Sequence, residues 1–213
     1  MSTPKQQYYE NLADSLIDKF NLRGIEGYYC ESKEEALFTA KRFLTPGCSV
    51  SWGGSMTLEE IGLTADLKNS GYYTVYDRMT ARTTEEQDAL YAEVSHCDYY
   101  FMSTNAITLD GQLVNIDGRG NRVASLIHGP KNVVIIAGMN KVVPTLDAAM
   151  DRVRNIAAPP NCIRLGLTTP CAKFGRCVDC LDANCICCNT VITRMSKIPG
   201  RIKVILVSET LGY

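Results

Sequence analysis

Six of the ten cysteines in this 213-residue chain lie between Cys171 and Cys188, in the run CAKFGRCVDCLDANCICC. Thiols at this density bridge one another, share a metal ion or take part in redox chemistry. The inner spacing, Cys177-Val-Asp-Cys180, is a Cys-x2-Cys knuckle. Such a knuckle turns two thiolates toward one ion while its backbone amides face the sulfurs. Cys171 upstream and Cys185, Cys187 and Cys188 downstream supply enough further thiols for a four-thiolate site. The other four, Cys30, Cys48, Cys97 and Cys162, lie singly in apolar surroundings and read as small buried hydrophobes.

Three more segments carry residues suited to chemistry. The first is Trp52-Gly53-Gly54-Ser55-Met56-Thr57, between a predicted strand and a predicted helix. Its glycines let backbone approach a ligand, free amides at a helix start favour an anion, and Ser55 and Thr57 add hydroxyls. It is equally a tight turn with a capping threonine. It matches neither the P-loop nor the dinucleotide fingerprint, so a phosphate-bearing ligand fits without being specified. Glu60, one turn into the helix, is placed to act as a base. The second segment runs from Asn105 to Val123 and concentrates Asn, Asp, Gly and Arg. A hairpin turning at Asp110-Gly111 and a glycine-rich turn would bring Asn105, Asn115, Asp117, Asn121 and Arg122 together. For Asp110 and Gly111, turn geometry is reason enough. A guanidinium at a helix start opposes the dipole, so an anion, such as a ligand carboxylate or phosphate, is expected to face Arg122. The third is Gly138-Met-Asn-Lys141, where Lys141 is a surface lysine or an anion contact. All three segments follow predicted strand ends, where α/β sheets bind ligands.

The elements that position these residues follow from periodicity and punctuation. Residues 5–22 put Tyr8, Tyr9, Leu12, Leu16, Ile17 and Phe20 on one helical face. Ser32, Thr57 and Thr84 each stand three residues before Glu or Gln and read as capping boxes, opening helices that start just after them. A further helix is predicted over 120–127 and another over 145–157. Strands are predicted at 27–30, 48–52, 72–76, 98–102, 132–137 and 204–207. After Asn132 the run NVVIIA is apolar, as in a strand buried on both faces. Pro159-Pro160 is the only linker-like break. Alternating helices and short strands make this an α/β chain with a mainly parallel sheet, and its length suits one domain, 1–213, with the cysteine segment 171–188 within it.

Composition narrows the partners. A net charge of -1 without a basic run argues against nucleic acid or anionic membrane. With two histidines, His96 and His128, a histidine-rich metal centre is excluded. The opening residues lack the basic and apolar regions of a signal peptide, and no apolar run reaches membrane-spanning length. A cytoplasmic location is therefore expected, where thiols stay reduced and a cluster favours metal over disulfides.

The runs SWGGSMTLEEIGL, STNAITLDGQLVNIDGRGNRVASLIHGPKNVVIIAGMNKVV and PCAKFGRCVDC, with the ending PGRIKVILVSETLGY, resemble the LUD-domain family, the lactate utilization proteins. The resemblance spans nearly the whole chain, with its motifs in the family's order. It implies a Rossmann-like sheet of the NagB/RpiA/CoA-transferase type. It also implies a place in bacterial oxidation of L-lactate to pyruvate within iron-sulfur-containing complexes. In the family the cysteine segment reads Pro-Cys, Gly-x-Cys-x-Asp-Cys and one more Cys; those align with Cys171, Cys177, Cys180 and Cys187. Cys185 and Cys188 are then extras, and Cys188 is the substitute ligand. The centre is an iron-sulfur cluster or zinc. The chain has no ferredoxin-like run of repeated Cys-x2-Cys motifs, so it corresponds to the stand-alone domain. Two functions are expected to compete: an organic-acid protein binding an anionic small molecule, or a non-catalytic, metal-stabilised scaffold docking to iron-sulfur oxidoreductase partners. The sequence leaves the oligomeric state open, a homo-oligomer included.

Overall fold

The computed structural model describes residues 3–213. Thr3 caps the first helix, α1 (Pro4–Leu22), through a reciprocal pair of bonds with Gln6. The helices that follow are α2 (Lys33–Arg42), α3 (Met56–Glu60), α4 (Leu63–Asn69), α5 (Thr84–His96), α6 (Asn121–Ile127), α7 (Leu146–Arg152), α8 (Ala158–Arg164) and α9 (Pro170–Phe174). Strands β1 (Ile25–Cys30), β2 (Ser49–Trp52), β3 (Thr74–Tyr76), β4 (Tyr99–Met102), β7 (Asn132–Gly138) and β10 (Ile202–Val207) form a six-stranded sheet. Its order is β1-β10-β7-β4-β2-β3, and every pairing is parallel. This is the α/β sheet that the alternation of helices and strands predicts.

Successive side chains of a strand point to opposite faces. Val133, Ile135 and Ala137 therefore join Leu16 and Phe20 of α1 and Leu126 of α6 in one apolar layer. Val134 and Ile136 join Ala36 and Ala40 of α2 with Leu58, Leu63 and Leu67 in the other. Both faces of the central strands are covered, which explains the unbroken apolar run of β7.

A second, four-stranded sheet, β8-β5-β6-β9, caps one end. Strands β5 (Ala106–Thr108) and β6 (Leu113–Asp117) form the expected hairpin, flanked by β8 (Val142–Val143) and β9 (Asn189–Thr193). Ala106, Val114 and Ile116 pack there on Ala149, Val153 and Ala158. Arg23, just past α1, donates to Asp110 and to the carbonyl of Arg194, clamping the hairpin to the main body.

Several boundaries differ from the sequence reading, each for a physical reason. Ser55 rather than Thr57 caps α3, accepting from the Leu58 amide, because the Thr57 hydroxyl is engaged with Lys141 and Leu211. Thr83, not Thr84, caps α5, with Glu86 closing the box. Ser32 does cap α2, but Glu35 reaches back to the Glu31 amide instead of its own cap. Pro159-Pro160 is no linker: the prolines occupy the first turn of α8, directly after a π-helical stretch, Val153–Ala157. The wider π turn relieves the clash that a proline ring makes with the preceding helical carbonyl. Strand β9 was not expected at all; it pairs along β6 from Asp117 to Leu113.

Arg201 shows how buried polar groups are handled. Its guanidinium is nearly inaccessible and donates to the carbonyls of Pro130, Leu126 and Ser125 at 2.7–3.0 Å, satisfying the C-terminal end of α6. Arg201→Met would strand three buried acceptors. It should destabilise the protein by about 2–4 kcal/mol, measured as a lowered urea midpoint at unchanged slope.

Candidate functional site

The carboxyl ends of β2, β4 and β7 open side by side, and the loops leaving them converge as expected. Together with the turn after β6, helix α8, the cysteine segment and Tyr213, they line a cleft of about 730 Å³. Of the residues singled out in the sequence, Gly54, Ser55, Thr57, Asn105, Asp117, Asn121, Arg122 and Lys141 face it. Gly53, Asn115 and Glu60 do not.

The three outliers have structural work. A Cβ on Gly53 would come within 3.1 Å of the Arg122 side chain and the Tyr100 hydroxyl, so the glycine makes room for that arginine. Asn115 is wholly buried and accepts from Arg122 at 2.6 Å. Exposed Glu60 accepts from the Gly212 amide at 2.8 Å, holding the C-terminal residues over α3. Gly212 has φ +57°, and a Cβ there would lie 2.6 Å from the Thr57 hydroxyl, so only glycine fits this crossing.

Arg122 is the hub. It donates to the carbonyls of Ser103 and Ile116 and to the side-chain oxygens of Asn105 and Asn115, at 2.6–3.1 Å. Its Nε faces the Asp117 carboxylate at 3.4 Å. Burial pulls its pKa down while Asp117 opposes the loss of charge. The anion that the sequence reading assigned to a ligand opposite Arg122 is thus supplied by Asp117. Asp117 also accepts from the Gly120 amide at 2.8 Å, closing the turn into α6.

Cations free to meet a ligand come from elsewhere. Arg78, Arg119 and Arg164 line the cleft with Lys141, and Asp117 is the sole acidic side chain lining it among the described residues. Among the described residues, Arg119 and Arg164 bond only to neutral Gln87 and Asn161. The Arg78 guanidinium lies against Gly54, 2.4 Å from where a Cβ would stand, and pairs with no carboxylate among the described residues. Sequence reading missed Arg78 because it sits in an unremarkable loop after β3. The five-residue helix α3 offers little of its own, since Ser55 already satisfies one of its first amides. The positive charge of the cleft therefore comes from side chains more than from a helix end.

Lys141 lies in the short turn Met139–Lys141 after β7 and is 3% exposed. Its Nζ donates to the hydroxyls of Thr57 and Ser103, both at 2.9 Å. Burial, then the nearby Arg152 and Arg122 charges, push its pKa down to about 7 against the pull of Glu60. Arg152 supports this turn, donating to the carbonyls of Asn140 and Asn105.

Behind the cleft is a smaller cavity of about 130 Å³, lined by Cys162, Cys171, Cys177, Cys180, Cys185 and Cys187. The Cys-x2-Cys knuckle has the shape its spacing predicts: the Asp179 amide donates to Cys177 Sγ at 3.4 Å, and Asp179 adopts φ +52°. Cys162, read from sequence as an isolated hydrophobe, belongs to this group, with its Sγ 3.6 Å from that of Cys171. Cys185 and Cys188 approach to 3.5 Å. All ten cysteines are free thiols. Desolvation of its sulfur, then Cys185, Cys180 and Cys177 beside it, push the Cys187 thiol up to about 12, although the residue as a whole is exposed. Among the described residues no three His, Cys, Asp or Glu side chains form a ready coordination shell. Ile116, Ala158, Cys185 and Ile186 face both cavities and form the wall between them.

Arg122→Met would leave Asp117 buried without its partner and take a donor from the carbonyls of Ser103 and Ile116 and from the Asn115 side chain, while Asn105 keeps the Ile116 amide. Its expected cost is about 3–5 kcal/mol by denaturant unfolding. Arg78→Met at the rim should stay within about 0.5 kcal/mol of the parent.

A model of the LUD domain matches residues 13–207. No curated protein matches the sequence. Among solved structures, a DUF162 family protein from Deinococcus radiodurans is similar over 93% of this chain and 98% of its own, with a TM-score of 0.57 at 14% identity. The ribose 5-phosphate isomerase A of Neisseria gonorrhoeae is similar over 54% of each chain, with a TM-score of 0.35 at 19% identity. The ribose 5-phosphate isomerase A of Methanocaldococcus jannaschii is similar over 62% of each, with a TM-score of 0.34 at 15% identity. Those isomerase likenesses are partial. No helix among the described residues is long and apolar enough to cross a membrane. With its family model spanning most of the chain, on a fold shared with the DUF162 protein, this chain belongs to the LUD domain family.

Proposed function

We propose that this LUD domain binds an anionic organic acid, or a phosphorylated small molecule, in its cationic cleft. Beside it, Cys171, Cys177, Cys180 and Cys187 hold one metal centre, an iron-sulfur cluster or zinc. The observation that carries this reading is the shared wall: the four thiols line one cavity, and the loop Cys185-Ile186 separates that cavity from the cleft. The donor set fits a soft metal, and the knuckle amide already faces a sulfur. Thiols crowded together resist ionising one by one, and a cation in their midst reverses that preference. A bound iron-sulfur centre would supply one-electron transfer within reach of the cleft; zinc would supply order alone. The segment 171–188 has little apolar surface to bury, so metal binding would be its folding energy. A role in lactate or related organic-acid utilization, working with iron-sulfur oxidoreductase partners, accords with the family.

A scaffold reading has one observation in its favour. Phe174 is 68% and Leu181 100% exposed on the cysteine segment, which suits contact with a partner protein. Turnover of a 2-hydroxy acid by the isolated chain with an artificial acceptor would reject that reading.

Metal analysis of anaerobically purified protein should find about one centre per chain. Cys177→Ser or Cys180→Ser should release it and speed amide exchange over residues 171–188 while the parallel sheet stays protected. Cysteines that map as disulfides, or as free thiols in an ordered loop, would overturn the metal assignment. Calorimetric titration with L-lactate, pyruvate, acetyl-CoA and ribose 5-phosphate tests the cleft. At least one should bind, and Arg78→Met should weaken that binding by roughly tenfold or more, the scale of a lost charged hydrogen bond. No heat from any of the four, with folded protein, would sink the anion reading.

A further inference from the structure

We propose that Lys141 is a nucleophilic amine that condenses with the carbonyl group of the cleft's anionic ligand, so that the ligand class is a 2-oxo acid or a phosphorylated aldehyde or ketone. This inference rests on the anion-binding reading of the cleft and extends it from binding to covalent chemistry.

Lys141 Nζ has two partners, the hydroxyls of Thr57 and Ser103. Each hydroxyl spends its own proton on a carbonyl, Thr57 on Leu211 and Ser103 on Thr104, both at 3.4 Å. Both hydroxyls are therefore acceptors toward Nζ. A neutral amine has two N–H bonds and one lone pair, and here the two N–H bonds are committed. No carboxylate forms an ion pair with Lys141 among the described residues, which is unusual for so deeply buried a lysine. The charged groups nearest to it are Arg152 on α7 and Arg122 on α6, which disfavour an ammonium, and Glu60 on α3, which favours it. A desolvated lysine flanked by cations is the form in which this side chain attacks carbonyl carbon. Lys141 also faces the cleft, on the same wall as Gly54 and Arg78. An acid whose carboxylate or phosphate meets Arg78 can thus present a carbonyl to the amine.

The step balances without any redox partner. The nitrogen lone pair forms a C–N bond to the carbonyl carbon, and the C=O π pair moves to oxygen. One proton passes from nitrogen to that oxygen and a second comes from solvent; the oxygen leaves as water, and a protonated imine remains. Ser103, already bonded to Nζ, is placed to relay a proton.

The test pairs carbonyl compounds with carbonyl-free analogues. The full-length protein is incubated with pyruvate or glyceraldehyde 3-phosphate and cyanoborohydride, and the adduct is mapped by peptide mass spectrometry. Binding of L-lactate and glycerol 3-phosphate is measured in parallel by calorimetry. One adduct per chain, at Lys141, supports the inference. Its trapping rate should rise with pH about a midpoint near 7, because burial and the two arginines hold the amine's pKa down to about 7. Lys141→Gln keeps two N–H donors for the two hydroxyls, adds no charge beside Arg122 and Arg152, and cannot form an imine. It should abolish the adduct while its thermal melt persists. An analogue that binds while no adduct forms at Lys141 overturns this inference and leaves the anion reading standing. Adducts scattered over surface lysines such as Lys33 and Lys173 overturn it equally. Neither analogue binding nor trapping overturns both.

Discussion

The buried guanidinium of Arg122 is the constraint on which the arrangement depends. Taking such a charge out of water is costly unless every donor is met and an opposite charge is close. The chain meets that demand with groups from four places: Ser103 beyond β4, Asn105 before the hairpin, Asn115 and Ile116 on β6, and Asp117 at its end. Satisfying one side chain therefore fixes the second sheet against the end of the first. The cleft is the gap left between them. A network of this kind specifies one geometry, because a partly satisfied version is worse than none.

That dependence explains what the sequence discloses and what it withholds. The parallel sheet is legible because β7 from Val133 and β10 from Val204 are unbroken apolar runs, β-branched at many positions, as strands covered on both faces require. The hairpin is legible from Asp110-Gly111. The convergence of Asn105, Asp117, Asn121, Arg122 and Lys141 is legible because each lies at or soon after the end of a strand. Their division of labour is not. Whether Arg122 meets a ligand or Asp117 depends on which carboxylate the tertiary fold brings to it, and spacing along the chain does not encode that. Arg78 and Cys162 are silent for the same reason: each joins its site from a segment with no motif. Strand β9 is silent because its alternation, Asn189 to Thr193, is short and largely exposed. Pro159-Pro160 misleads because the usual penalty for proline in a helix is absorbed by a π turn that leaves no mark in the composition.

The wall between the two cavities gives the domain a thermodynamic property of its own. Ile116, Ala158, Cys185 and Ile186 contact whatever occupies either side. An occupant that orders these residues from one side reduces the ordering left to the other, and such coupling acts equally in both directions. Cys185 sits on this wall and Cys188 lines the cleft, their sulfurs 3.5 Å apart, so the oxidation state of that pair bears on both cavities at once.

The path of the final residues has a practical corollary. Leu211 and Gly212 run across Thr57, pinned through Glu60 and Asn140, and Tyr213 emerges into the cleft itself. Any polypeptide joined after Tyr213 has to leave through the cleft mouth. An affinity handle on that end would compete with the ligand, whereas α1 begins at an exposed position and offers a neutral attachment point.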